Sequence, residues 1–568
     1  MRYACGFLLV ALLISLPSSA YEIKGQVASG NFTWSPQNFP GFYYDIDDNI
    51  GAETLTVTLT GDNKISGAAP NGIVYSTKPL EKEFGLARWG HYDVLGLFGE
   101  RYFVGYSGDS GISKAREGTG EGLFLGRVLV DSDRKWTISS NESLDLGEGY
   151  SLKLEDSDSG VNVSLYRGGS VVDFAVIQPP TDYIYTRKVG GRNVTLIAAR
   201  VESNVKLSPL SYYTLKGLFQ LSENFTHLET GSSLGAMVVK SAGDEGLVMV
   251  NRDEMELTKG SDIGLFENMS LRISRSDELR YYLFRDVPDQ RLVRGAVAEG
   301  DFLWNPENFA GFYYDLDDNL GTEALAITIT EGRRLSGDAP YGMQYVSSAQ
   351  KKKFEFDDWG SYDLLGFLGE AYFAGCSDGT GFGGEEIPMS FLGDGLISRV
   401  LLDESRLNVV ESGGRLSLAD GFEAELMLDD GCQKAFVELY KNGEPVHRDY
   451  FDLPYTYVYK ADLGSLEDVP ILALHFAGAN CTGGKFCLID GIFQLSDEPV
   501  SVRAGEKFGR MAVTSFTPDT IVMENRDRPI TLNRNVDISL MPGISVKVAD
   551  SDELRYYIYR NSTEGGIL

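Results

Sequence analysis

The sequence predicts an all-β protein made of two tandem repeats, each a pair of linked β-sandwich subdomains. Three observations carry this. A 22-residue phrase is spelled twice, WSPQNFPGFYYDIDDNIGAETL at 34 to 55 and WNPENFAGFYYDLDDNLGTEAL at 304 to 325, identical at 15 positions with a constant offset of 270. Such a duplication has to be recognised before any motif is read. Apolar residues then alternate with polar ones, as in Leu55, Val57 and Leu59 against Thr56, Thr58 and Thr60, the period of a half-buried strand. Finally, 65 Gly, 30 Tyr and 30 Phe in 568 residues suit strands separated by many turns.

At the N-terminus, Arg2, the apolar run Phe7 to Leu16 and the small residues Ser18 and Ala20 read as a secretory signal peptide over residues 1–20. Its removal takes away one cation from the formal charge of −31 and leaves −32. That surface repels phosphate, so no nucleic-acid partner is expected. After residue 20 nothing approaches the roughly 20 apolar residues of a membrane helix, and the expectation is a secreted chain with no transmembrane anchor of its own. Cys5 leaves with the signal peptide, and Cys376, Cys432, Cys481 and Cys487 remain. An even number in an exported protein reads as disulfides. Of the three pairings, Cys376 with Cys432 and Cys481 with Cys487 is the favoured one.

The first doubled phrase ends in the strand at Leu55. The acidic run before it holds Asp45, Asp47 and Asp48, and its copy holds Asp315, Asp317 and Asp318. Clustered carboxylates on a loop can ligate Ca²⁺ or another cation, although the spacing is not that of an EF-hand. The other reading is a turn fixed by Asp and Asn side chains, with Gly51 and Gly321 in the strained conformation. Pro70 and Gly72 recur as Pro340 and Gly342, and ARWGHYDVLGLFGERYF (87 to 103) recurs as DDWGSYDLLGFLGEAYF (357 to 373), a packed aromatic segment covering a sheet. LYRGGSVV (165 to 172) and LYKNGEPV (439 to 446) are hairpins with Gly-Gly and Asn-Gly turns. Each copy closes on one phrase, SDELRYYLFR (276 to 285) and SDELRYYIYR (551 to 560). These marks give repeat 1 at 21–288, repeat 2 at 289–568, and sequential subdomain cuts near residues 140 and 412. A short tether, DVPDQR (286 to 291), joins the halves.

Enzyme motifs are weak. Gly231-Ser232-Ser233-Leu234-Gly235 matches G-x-S-x-G, but repeat 2 has Lys507 in place of Ser233. Gly379, Gly381 and Gly384 match G-x-G-x-x-G without a βαβ setting. His91, His227, His447 and His475 have no zinc-binding spacing. No catalytic residue or bound cofactor is expected. N-x-[S/T] glycan acceptors stand at Asn31, Asn141, Asn162, Asn193, Asn224, Asn268, Asn480 and Asn561, six of them in repeat 1.

Taken together, the WxPxNFxGFYYDxDDNxGxExL, WGxYDxLG and SDELRYY phrases resemble those of the S-layer duplication-domain proteins of Methanosarcina-type archaea, across essentially the whole mature chain. The resemblance implies a surface-layer glycoprotein whose copies self-associate into an acidic, sieving two-dimensional lattice. The alternative is a secreted binding or adhesion module for glycans or a cell-surface partner.

Overall fold

The computed structural model describes residues 21–561 apart from 62, 68–71, 108–109, 113–121, 208, 288–291, 338–341, 377–381, 383–389 and 527–528. The expected signal segment, Pro70 and Pro340, the glycines 379, 381 and 384, and most of the expected tether between the repeats lie outside those residues. Among the described residues there is no α-helix, only single 3-10 turns such as Ala87–Trp89 and Asp357–Trp359. No helix there is long and apolar enough to cross a membrane.

Each repeat closes its first strand on its last. Tyr21–Lys24 runs antiparallel to Tyr281–Val287, and Leu292–Arg294 runs antiparallel to Tyr556–Asn561. A six-stranded sheet likewise joins early and late chain: Phe32–Trp34, Thr54–Thr58 and Gly72–Thr77 lie beside Gly246–Asn251, Met237–Gly243 and Ser233–Leu234, with Thr77 opposite Leu247. Trp34, Leu55, Val57, Tyr75, Met249 and Tyr281 are buried in this base sandwich, as are Trp304, Leu325, Ile327, Tyr345, Met523 and Tyr556 in repeat 2. The alternation read from the sequence thus directs Leu55 and Val57 inward, as the two-residue period requires.

The chain between these strands forms a second sandwich inserted into the first. In repeat 1 a seven-stranded sheet, from Leu80–Glu83 to Thr181–Val189, packs on a four-stranded sheet made of Ser143–Asp145, Tyr150–Ser157, Gly160–Arg167 and Ser170–Ile177. The long sheet serves both cores. Tyr92 and Val94 face the inserted core, while Leu95 and Leu97 reach the base core. The sheets therefore do not follow the sequential cuts expected near 140 and 412. Both positions fall between the two sheets of the inserted sandwich, where Gly and Ser mark a sheet-to-sheet connection and not a boundary.

The cysteines also pair differently from the favoured expectation. Cys432 bonds Cys481 with Cα atoms 6.5 Å apart. Cys376 and Cys487 are buried thiols: Cys376 Sγ donates to the Ser361 carbonyl at 3.4 Å, and burial pushes the Cys487 thiol up to about 11. Closeness in sequence misleads because Cys487 sits on the inward face of the strand Phe486–Leu495, whereas Cys481 lies in the connection just before it. Digestion without reduction is expected to release one linked peptide pair, Cys432 with Cys481. Cys432→Ser/Cys481→Ser should cost about 4 kcal/mol, by loop entropy for a separation of 49 residues. A linked peptide containing Cys376 would contradict this.

Candidate functional site

The doubled acidic run folds into a tight loop closed by two backbone bonds, Asp45 N–H to Ile50 C=O at 2.8 Å and Ile50 N–H to Asp45 C=O at 3.0 Å. Asp45 Oδ1 accepts the Asp47 N–H at 3.1 Å, and Asp315 does the same for Asp317 at 3.0 Å. The left-handed position belongs to Asn49 (φ 55°) and Asn319 (φ 57°), not to Gly51 and Gly321. Asn tolerates that region better than most side-chain-bearing residues. Gly51 is required for room: a Cβ there would lie 2.9 Å from the Tyr43 carbonyl and from Pro36 Cγ.

Three carboxylates in each loop were candidate cation ligands, and the structure brings only two together. Lys82 places its ammonium on Asp45 at 2.8 Å and also on Asp48. Lys352 sits 2.8 Å from Asp315 and 2.7 Å from Asp318. These side chains supply an internal cation to each loop. Burial works against ionisation of Asp45 and Asp315, but the lysine and the turn N–H groups outweigh it and hold both pKa values below the usual range. Among the described residues, no group of three or more His, Cys, Asp or Glu is arranged to hold a metal ion.

Asp47 and Asp317 turn away from their own loops and reach the other repeat. Asp47 Oδ1 accepts the Asp550 N–H at 2.7 Å, and Asp317 Oδ1 accepts the Arg275 N–H at 2.6 Å. Beside them, Arg555 of repeat 2 donates to the carbonyls of Ile46 and Asp47 at 3.0 and 2.8 Å. Arg280 of repeat 1 donates to those of Leu316 and Asp317 at 3.0 and 2.7 Å. Glu553 and Glu278 each orient their arginine at 2.8 and 2.9 Å. A second matched pair flanks this clasp: Lys24 lies 5.0 Å from the ring centre of Tyr314, and Arg294 lies 5.2 Å from that of Tyr44. The arginine-to-carbonyl bonds, the aspartate-to-N–H bonds and the cation–ring contacts each occur once in each direction, as in an isologous interface, here formed within one chain; Arg294 adds a bond to the Pro36 carbonyl that has no counterpart at Lys24.

Under each loop lies a buried glutamate. Glu53 and Glu323 are 0% and 1% exposed. Glu53 accepts from Tyr43 N–H at 2.7 Å, Tyr75 Oη–H at 2.8 Å and Gly99 N–H at 3.0 Å. Glu323 repeats this with Tyr313, Tyr345 and Gly369 at 2.7, 2.8 and 2.9 Å. The glutamate ties the loop to the strand Gly72–Thr77 and to the aromatic hairpin that ends at Gly99. Sequence reasoning passed over Glu53, Lys82 and Arg280 as functional groups. Their recurrence as Glu323, Lys352 and Arg555 was the signal that could have found them.

The remaining candidates are dispersed. Asn31, Asn141, Asn193, Asn224 and Asn480 are exposed, and Asn162, Asn268 and Asn561 are partly buried. Ser233 lies in a short strand paired with Met237–Gly243, so G-x-S-x-G makes a β-hairpin and no strand-to-helix elbow. His227 stacks on Phe124, His447 bonds Tyr457, and His475 bonds Asp490. A polar cleft of about 530 Å³ in repeat 2 is lined by Lys441, Asp497, Arg560 and Glu370. Those charges already neutralise one another, with Lys441 on Asp497 and Arg560 on Glu370, each at 2.7 Å.

The sequence pattern of the S-layer protein family matches residues 24–275 and 294–550, one match per repeat. A Major S-layer protein of Methanosarcina barkeri is 28% identical over 605 residues, covering 98% of this chain and 86% of that protein. Proteins of the same name from Methanosarcina mazei and Methanosarcina acetivorans are 26% and 27% identical, covering 100% and 99% of this chain and 88% of each relative.

The glutamates give the site a pH dependence. Burial pushes both carboxyls up to about 7, against the pull of their N–H and hydroxyl donors and the nearby Arg285 or Arg560. A carboxyl raised above its unfolded value of about 4.3 binds a proton in the folded state that the unfolded chain has released. Its contribution is therefore full at low pH and is lost as pH rises from about 4.5 to about 7. Glu53→Gln/Glu323→Gln should lower stability, because an amide N–H₂ meets a backbone donor, and should flatten the slope of unfolding free energy across that window. Denaturant titrations giving the wild-type slope in the variant would contradict the assignment.

Proposed function

The chain belongs to the S-layer protein family, and we propose that the clasped pair of repeats is the rigid tile from which a surface layer is laid. The protein is a structural component of the cell surface. The observation that carries the tile reading is the reciprocal clasp. The outward carbonyls of both acidic loops, with Asp47 and Asp317, are engaged by the opposite repeat, so the two repeats present themselves to other molecules as one body. Contacts between tiles then fall to the outer surfaces, where heterologous contacts that do not close propagate into sheets and weak contacts add.

The formal charge of −32 left after residues 1–20 are removed supports an acidic layer whose openings pass cations and neutral solutes more readily than anions. It also means that copies repel, a repulsion that salt or Ca²⁺ would screen. This reading gives the chain a structural and sieving role with no catalytic step. Ser233 lies in a β-hairpin and not at a strand-to-helix elbow, which supports the structural part of this reading.

Hydrogen bonds to a charged group contribute about 1.5–3 kcal/mol each. Losing both arginines should therefore loosen the tile while leaving each repeat folded. In negative-stain microscopy the purified chain is expected to form ordered two-dimensional arrays in Ca²⁺-containing buffer, and Arg280→Ala/Arg555→Ala to give arrays of much shorter order. Wild-type protein that stays monomeric at high concentration and binds selected glycans would contradict the reading and favour an adhesion module.

A further inference from the structure

The strand Ser170–Ile177 is the outermost of its four-stranded sheet, yet Val171, Val172, Phe174 and Val176 are 55%, 41%, 55% and 45% exposed. An apolar strand with a free backbone edge invites association. The register says what lies beside it. Asn162 stands directly opposite Val176, and Ser164 directly opposite Phe174, so Asn162 and Phe174 are diagonal neighbours on the outer face, within reach of long side groups. Asn162-Val163-Ser164 is a glycan acceptor sequence. Other acceptors are engaged by the fold: Asn268 Nδ2 donates to the Asp286 carbonyl at 2.7 Å, and Asn31 Oδ1 accepts the Leu59 N–H at 2.8 Å.

We propose that Asn162 carries an N-linked glycan whose first sugars lie across Phe174 and Val176, so that carbohydrate is what covers this face. Pyranose rings present C–H faces that pack on an aromatic ring, and the linkage holds them there at high effective concentration. The other repeat supplies an internal comparison. There the same two register positions are Phe436 opposite Tyr450 and Glu438 opposite Arg448. No acceptor sequence is present in that sheet, and charged side chains stand on the face instead: Arg448 donates to Glu438 at 2.7 Å, and Lys434 lies 5.1 Å from the centre of the Tyr450 ring, which is itself 55% exposed. The acceptor occurs where Ser164 faces Phe174, and is missing where the Glu438–Arg448 ion pair takes that register position. The proposal stands independently of the lattice reading.

The test uses the full chain made in an N-glycosylating archaeal host. Glycopeptide mass spectrometry should find Asn162 occupied. Nile red fluorescence should rise several-fold in both Asn162→Gln and Ser164→Ala, return to the wild-type level when Phe174→Ser is added to Asn162→Gln, and not change in Asn193→Gln. An unmodified Asn162, or unchanged dye binding after loss of the acceptor by either route, overturns the proposal. So does an unmodified Asn162 in a chain whose association is dispersed by Phe174→Lys, which would give the face to a second copy.

Discussion

Arg280 and Arg555 each lay a guanidinium against two carbonyl oxygens of the opposite repeat's acidic loop, and the shape of the unit depends on that exchange. Both arginines are nearly buried, at 9% and 4% exposure. A buried guanidinium is costly unless its donors are met, so the loops must hold their carbonyls outward in one fixed geometry. The Asx turn at Asp45, the left-handed Asn49 and the Lys82 ammonium do this in repeat 1, and Asp315, Asn319 and Lys352 do it in repeat 2. The lysine matters because without it two carboxylates would face each other across a small loop.

The same 22 residues also work inward. Two positions before Leu55, Glu53 turns into the base sandwich and gathers donors from the loop, from the neighbouring strand and from the aromatic hairpin. One short stretch thus fixes the start of its own repeat's core and the contact with the other repeat. This explains why it is spelled so similarly in both copies when much of the surrounding chain is not. It also couples the two levels, since the Tyr43 N–H held by Glu53 lies two residues before the Asp45 that shapes the loop.

Much of this was legible in the sequence because duplication and period-two alternation are local signals. The all-β fold, the two repeats and the inward set Leu55, Val57, Leu325 and Ile327 follow from them. The insertion of one sandwich into another was not legible, because the pairing of Thr77 with Leu247 joins residues far apart in sequence and leaves no periodic trace. The cysteine pairing failed for a related reason: Cys481 and Cys487 are neighbours in the chain, but the strand turns Cys487 into the core. The acidic loop was read for its side chains, whereas its backbone carbonyls do much of the binding, and those have no sequence signature. Arg280 and Arg555 stood in the closing phrase, without any mark that they serve the opposite repeat.

The copies also differ away from the clasp. Repeat 2 carries the Cys432–Cys481 bond and a charged outer sheet, and repeat 1 carries the apolar strand beside Asn162. The clasp is the part that both retain, and hydrogen exchange of the intact protein tests it most directly. The Arg275 and Asp550 N–H groups lie in exposed turns yet are donated to Asp317 and Asp47 across the interface, so peptides spanning them should exchange far more slowly than the Gly168–Gly169 hairpin turn. Exchange at both positions as fast as in that turn would contradict a clasp between the repeats.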